Sequence, residues 1–126
     1  MAVFDTAEAN RLLDAAFSTA DYTGATSGSQ LRLATATGTD AAAGTLVTGG
    51  SYAHQSMAMA AAASRSCSNT GTVSFTGMPA TTVNGVEIYN SAGSQRKAYG
   101  ALTTPRTTAN GDTLSFAAGS VVASFS

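Results

Sequence analysis

The sequence has no tryptophan, one cysteine, one histidine and two prolines. Each scarcity removes a class of protein. Cys67 has no partner for an internal disulfide, so the chain is not a disulfide-stapled module. Its expected place is that of a small apolar residue, buried or half-buried. His54, with Cys67 and a few scattered carboxylates, supplies no zinc-ligand spacing, and no acidic loop suits calcium. Nothing resembles a G-x-S-x-G nucleophile elbow, and the glycine segments match no phosphate-binding fingerprint. Glycosidase chemistry needs paired carboxylates across a cleft. Glu87 is the one strand carboxylate of the C-terminal half and is expected to be a solvated or interface charge. These absences predict no catalytic residue, no metal site, no cofactor and no enzymatic activity.

Charge is scarce too. Charged residues make up 10% of the chain and the net charge is −1, against a usual charged share of about a quarter. Arg11, Arg32, Arg65, Arg96, Lys97 and Arg106 are dispersed, and only Arg96 and Lys97 are adjacent. Nucleic-acid binders carry a basic stripe because phosphate neutralisation drives their affinity, so no nucleic-acid partner is expected. No apolar run approaches the roughly 20 residues of a membrane span, and no basic, apolar leader opens the chain. The expectation is a soluble protein made in the cytoplasm, with no membrane partner.

Alanine, threonine, serine and glycine take the place of charge. Alanine buries little area. The core must therefore draw on Phe4, Leu12, Leu13, Phe17, Leu31, Leu33, Leu46, Val47, Phe75, Val83, Val86, Ile88, Leu102, Leu114, Phe116, Val121 and Phe125. So thin a core gains from association with neighbours.

One helix is written near the N-terminus. Asp5 is a good N-cap, Glu8 stands at the capping-box spacing, and Leu12, Leu13, Ala16 and Phe17 form an apolar stripe. That stripe must dock on the rest of the domain or on a neighbouring subunit. The expected arrangement is a helix packed on its own sheet. Beyond Ser18, turn signals recur about every ten residues, the spacing of strands in a sandwich or barrel. Expected strands are Gln30–Ala36, Thr45–Thr48, Ser51–Met59, Thr72–Phe75, Thr82–Tyr89, Arg96–Leu102, Thr113–Phe116 and Val121–Phe125. Thr35–Ala43 reads as a flexible loop and Ala58–Ser64 as strand end and loop. Pro105 is expected to stop a strand, since proline cannot donate to a ladder. The predicted fold is mainly β: an antiparallel β-sandwich, jelly-roll or Ig-like, with one N-terminal α-helix. Residues 1–126 read as one domain, with 1–20 an arm and helix and 21–126 the sandwich.

Several strings go beyond generic β patterning. Gly44-Thr45-Leu46-Val47-Thr48-Gly49-Gly50-Ser51-Tyr52-Ala53-His54-Gln55 resembles the G-T-E-V-(S/T)-G-G-S-Y-A-R-Q signature of a family of small tailed-phage virion proteins. Asn69 before the Thr72–Phe75 strand, and Val83-Asn84-Gly85-Val86-Glu87-Ile88-Tyr89, resemble two further blocks of that family. Tyr99–Gly119 is similar almost letter for letter to its Y-G-A-L-T-T-P…G-D-T-L-S-F-A-A-G block. The family's tryptophans are absent here, and Leu31-Arg32-Leu33-Ala34-Thr35 replaces its V-Y-V-A-L-F-type strand.

The resemblance implies a structural protein of the virion. The compact size favours a capsid decoration (minor capsid or cement) protein on the capsid exterior, bound to the major capsid protein and assembled as a homo-oligomer, a trimer. The alternative is a tail-fibre or baseplate module engaged in host attachment. Expected contact segments are Met1–Phe4 as an arm, Ala58–Ser64 and Val121–Phe125. Val3, Phe4, Met57, Met59, Val121 and Phe125 are the candidate interface residues.

Overall fold

The computed structural model describes residues 3–18, 21 and 28–124. Its elements, in chain order, are β1 (Val3–Phe4), α1 (Thr6–Phe17), β2 (Ser29–Ala36), β3 (Thr45–Leu46), β4 (Gln55–Met57), β5 (Ser66–Ser68), β6 (Val73–Met78), β7 (Thr81–Asn90), β8 (Arg96–Thr108), β9 (Asp112–Phe116) and β10 (Val122–Ser124). The chain is mainly β, every strand pair is antiparallel, and the one described helix is α1.

The large sheet runs β1-β8-β7-β2-β3, with β4 also on β2. Two two-stranded pairs, β6 with β9 and β10 with β5, complete a sandwich-like arrangement. Leu31, Leu33, Val83 and Ile88 of the large sheet pack with Val73, Phe75, Met78, Leu114 and Phe116 of the second layer. Phe75 is fully buried, edge-on to Phe116 and stacked with Tyr52. Small residues do fill gaps here: Ala34, Ala98 and Ala123 are buried.

β3 and β4 share one edge of β2. β3 pairs with Ala34 and Ala36, and β4 with Ser29–Leu31. Between them the Tyr52 hydroxyl accepts the Leu33 backbone N–H at 2.9 Å, while the Leu33 carbonyl accepts from Val47 at 2.9 Å. The expected Ser51–Met59 strand is thus confined to Gln55–Met57, because Tyr52 turns in to fill the ladder.

Pro105 does not stop its strand; β8 runs through it. Gly85 pairs with Ala101 and Val83 with Arg106, so β8 uses residues 102–105 where β7 uses Asn84 alone. Proline's missing donor falls in this excess, where no ladder bond is required. The same shift puts Val83 before it, and Val86 and Ile88 after it, into the core, since a register step exchanges the faces of a strand.

The Thr35–Ala43 segment is not a loose loop. It continues β2 to Ala36, then folds back through a Thr39–Ala42 bridge over the large sheet. β5 was not foreseen; it holds Cys67, half-buried as expected. Asn69 fixes this end of the molecule. Its side-chain amide donates to the Gly71 and Ala117 carbonyls, and its Oδ1 accepts from Val121 N at 2.9 Å.

Candidate protein-protein interface

The geometry of α1 begins with its N-cap. Asp5 accepts from the Ala7 backbone N–H at 2.8 Å. Its other oxygen takes the Arg96 guanidinium, Nε and Nη2 each at 2.8 Å. Arg96 Nη1 donates to Glu87 at 3.1 Å and to the Ala42 carbonyl at 2.9 Å, and Nη2 donates to the Thr39 carbonyl. All five guanidinium N–H groups therefore have acceptors. Burial works against the charge, but hydrogen bonds to Asp5 and Glu87 outweigh it and raise the Arg96 pKa. Gly38 must be glycine for this packing: a Cβ there would sit 2.5 Å from Arg96 Nη1 and 2.8 Å from Glu87.

The guanidinium lies over the Tyr99 ring, 4.7 Å from its centroid, and the Tyr99 hydroxyl donates to Asp40. That hydrogen bond, with smaller help from burial, raises the Tyr99 pKa. Glu87 is 1% exposed and also accepts from Gly44 N at 2.6 Å and from Tyr89 Oη at 3.1 Å. It is a buried structural anion, not the solvated charge expected from its place in the strand.

A second ion pair sits one residue on. Ile88 pairs with Ala98 and Tyr89 with Arg96, which makes Lys97 the extra residue of a bulge. The bulge breaks strand alternation, so Arg96, Lys97 and Ala98 are all buried. Lys97 Nζ donates to Glu8 at 3.1 Å, and Glu8, fully buried, also accepts from Arg11.

These anchors all sit in the first turn of α1 or next to it, and Thr6 N donates there to the Asp40 carbonyl at 3.2 Å. A 12-residue helix rises 1.5 Å per residue, or about 18 Å in all. Its C-terminal half is therefore carried away from the anchors. Leu13 is 55% exposed and Phe17 85% exposed; Ala16 is exposed and Leu12 half-buried. The apolar stripe does not pack on the chain's own sheet, and Leu13 and Phe17, expected in the core, lie outside it. The helix is docked by buried charge, and that orientation turns its apolar ridge outward.

The expected interface residues are scattered by the fold. Met57 and Val121 are 3% and 5% exposed, so their side chains are core and not contact surface. Phe4 and Met59 meet in a cleft of about 140 Å³ that Cys67, Ile88, Ala98 and Ala123 also line. Val3 pairs with Tyr99 within the same chain, so this part of the expected arm is β1 of its own sheet. Phe125, Met1, Ala2 and the Val3 side chain lie outside the described residues. The Ala58–Ser64 segment is mostly exposed and ends in a tight turn, with Ser64 at φ 51° and Arg65 at φ 65°.

The exposure of Leu13 and Phe17 was missed because a stripe at helical spacing reads the same whichever way it faces. A signal was available: Glu8 and Arg11 precede the stripe, while Arg96-Lys97 is the only basic pair in the sequence. Among the described residues no group of three His, Cys, Asp or Glu is placed to hold a metal, and no helix is long and apolar enough to cross a membrane.

The family model described as Podophage GP4 fiber I protein gp80 matches residues 3–124. No curated protein matches the chain.

Proposed function

The chain belongs to the family of the podophage GP4 fiber I protein gp80, and from that membership we propose that it is a non-enzymatic subunit of a phage fibre that assembles with further copies of itself through α1. The family description supports the tail-fibre alternative better than capsid decoration. The observation that carries the assembly reading is the outward ridge of α1. Two large apolar side chains, Leu13 and Phe17, stand exposed on a helix whose base is fixed by two buried ion pairs. Scattered exposed apolar residues are ordinary, but a ridge on a rigidly held helix favours burial against another chain. The non-enzymatic reading is supported by how Glu8, Glu87, Arg96 and Lys97 are used: all are engaged in ion pairs that hold elements together.

The test is twofold. Virions are separated into DNA-filled heads and tails, and the protein is quantified in each by mass spectrometry. Enrichment with tails and fibres is expected. High copy number confined to heads would replace the fibre reading with capsid decoration on the major capsid protein. The mass of the purified chain in solution, by light scattering, is expected to be a multiple of the 12.5 kDa chain mass, and it reports whether the multiple is three.

A further inference from the structure

Arg32 of β2 stands opposite Glu87 of β7 in the strand register. Glu87 nevertheless gives its carboxylate to Arg96, Gly44 and Tyr89. Among the described residues Arg32 forms no ion pair. Its guanidinium lies over the Tyr89 ring, 3.9 Å from the centroid. Nη2 donates to Gln30 Oε1 at 3.0 Å and to the Gly93 carbonyl at 3.2 Å. Nε is buried with no acceptor, and Nη1 donates to no described atom.

This half-buried cation is held in place by rigid parts. The 91–95 turn closes on it, pinned by Asn90 Oδ1, which accepts from Ser94 N at 2.9 Å and Gln95 N at 3.1 Å. Gly93, at φ +73°, leaves the space that the guanidinium fills; a Cβ there would collide with Nη2. Gln30 is held in turn by donating to the Ser91 carbonyl at 3.0 Å. His54 is exposed nearby and feels the charge of Arg32, while Glu87 is neutralised by Arg96. A guanidinium kept partly desolvated, with donors unspent and no counter-ion, is the arrangement that recognises planar or tetrahedral oxyanions. A buried donor without a partner is destabilising for the chain alone, and here the cost falls on a group oriented by three surrounding segments.

We propose that Arg32, positioned by Tyr89, Gln30 and the 91–95 turn, is a binding site for an oxyanion, the carboxylate or phosphate of an acidic surface polymer. The polymer source rests on the fibre reading; the oxyanion site itself does not, and it is tested on the isolated full chain. The chain labelled with nitrogen-15 is titrated with glucuronate, with glycerol phosphate and with glucose, and followed by NMR. Saturable shifts at the Arg32 Nε–H, the Gly93 amide and the Gln30 side-chain amide are expected with one or both anions and not with glucose. A response to glucuronate alone identifies an acidic sugar, to glycerol phosphate alone a phosphate polymer, and to both the shared oxyanion chemistry. Arg32→Gln should weaken binding by at least about tenfold, with the remaining amide spectrum preserved. Arg32→Lys, which keeps the charge and loses the planar fork, should weaken it less and serves if Arg32→Gln does not fold. No saturable shift with either anion, equal binding of glucose, or unchanged affinity in the substituted chain would overturn the proposal. Such a failure leaves the fibre assignment untouched, because that is read from virion fractions.

Discussion

The Tyr52 hydroxyl accepts the backbone N–H of Leu33 at 2.9 Å, standing in for a strand residue in the gap between β3 and β4. Tyr52 also stacks on Phe75, 5.8 Å between ring centroids. A single side chain thus completes the β2 edge and covers the centre of the core. Tyr52→Phe keeps the ring and strands the Leu33 donor. The expected loss is about 1–3 kcal/mol, measured by urea unfolding. A loss below about 0.5 kcal/mol, the range of neutral surface changes, would show that the hydroxyl does not close the ladder.

The same residue predicts alkaline behaviour. Burial raises the Tyr52 pKa above its ordinary 10.0, against smaller lowering by the Leu33 hydrogen bond and Arg32. The folded state therefore favours the protonated phenol. Its contribution is complete below about pH 10, the unfolded value, and is lost as pH rises through the raised folded value. The melting temperature should fall above that pH, and Tyr52→Phe should flatten the fall. An identical slope in the substituted chain would assign the effect elsewhere.

Glu87 accepts from three groups on three segments: Gly44, Tyr89 and Arg96. Glu87→Ala should cost about 3–5 kcal/mol, the usual effect of breaking a buried pair. The amide of Gly44 should also lose hydrogen-exchange protection, because the 37–44 segment is tied to the sheet through this carboxylate. Retained protection at Gly44 would refute that coupling.

Asn69 carries both the Val121 donor and the Ala117 carbonyl. Asn69→Ala should expose the Val121 amide to exchange while the β7–β8 amides stay protected. A uniform loss across both would mean that the β5–β10 pair and the large sheet open as one unit.

Replacing Leu13 and Phe17 together by serine should leave the single chain folded, with its amide spectrum preserved, while the concentration-dependent part of its stability is lost with the association. The light-scattering mass should drop toward that of a single chain. A large stability loss with unchanged mass would instead show that the ridge packs within its own chain.

Much of the β framework was legible. β-branched residues between turn signals marked β7, Asn110-Gly111 marked the turn before β9, and the alternation of Leu31 and Leu33 marked the core face of β2. Asp5 was legible as a cap because capping needs only residues close in sequence. Pro105, the 37–44 segment and Glu87 were misread for a common reason. Each is decided by pairing that local patterning does not specify: Pro105 by the register against β7, Glu87 by Arg96 across the β7–β8 hairpin, and the segment by Arg96 from more than fifty residues away. Arg32 offered no sign that it would lack an ion pair, because only the fold sets it opposite Glu87 and gives that carboxylate to Arg96 instead.

Local patterning set the class: short antiparallel strands, a capped helix, a thin core of a few large residues, and a likeness to phage virion proteins that agrees with the matching phage family. Those features depend on local propensity and periodicity, which act over a few residues. Tertiary structure alone decided which charges are buried and which apolar residues stay outside. Glu8 goes inside because Lys97 meets it from 89 residues further along the chain, and Glu87 because Arg96 faces it across the β7–β8 hairpin. Burying a charge is feasible only with such a partner in place, and once those pairs fix the start of α1, Leu13 and Phe17 must face outward.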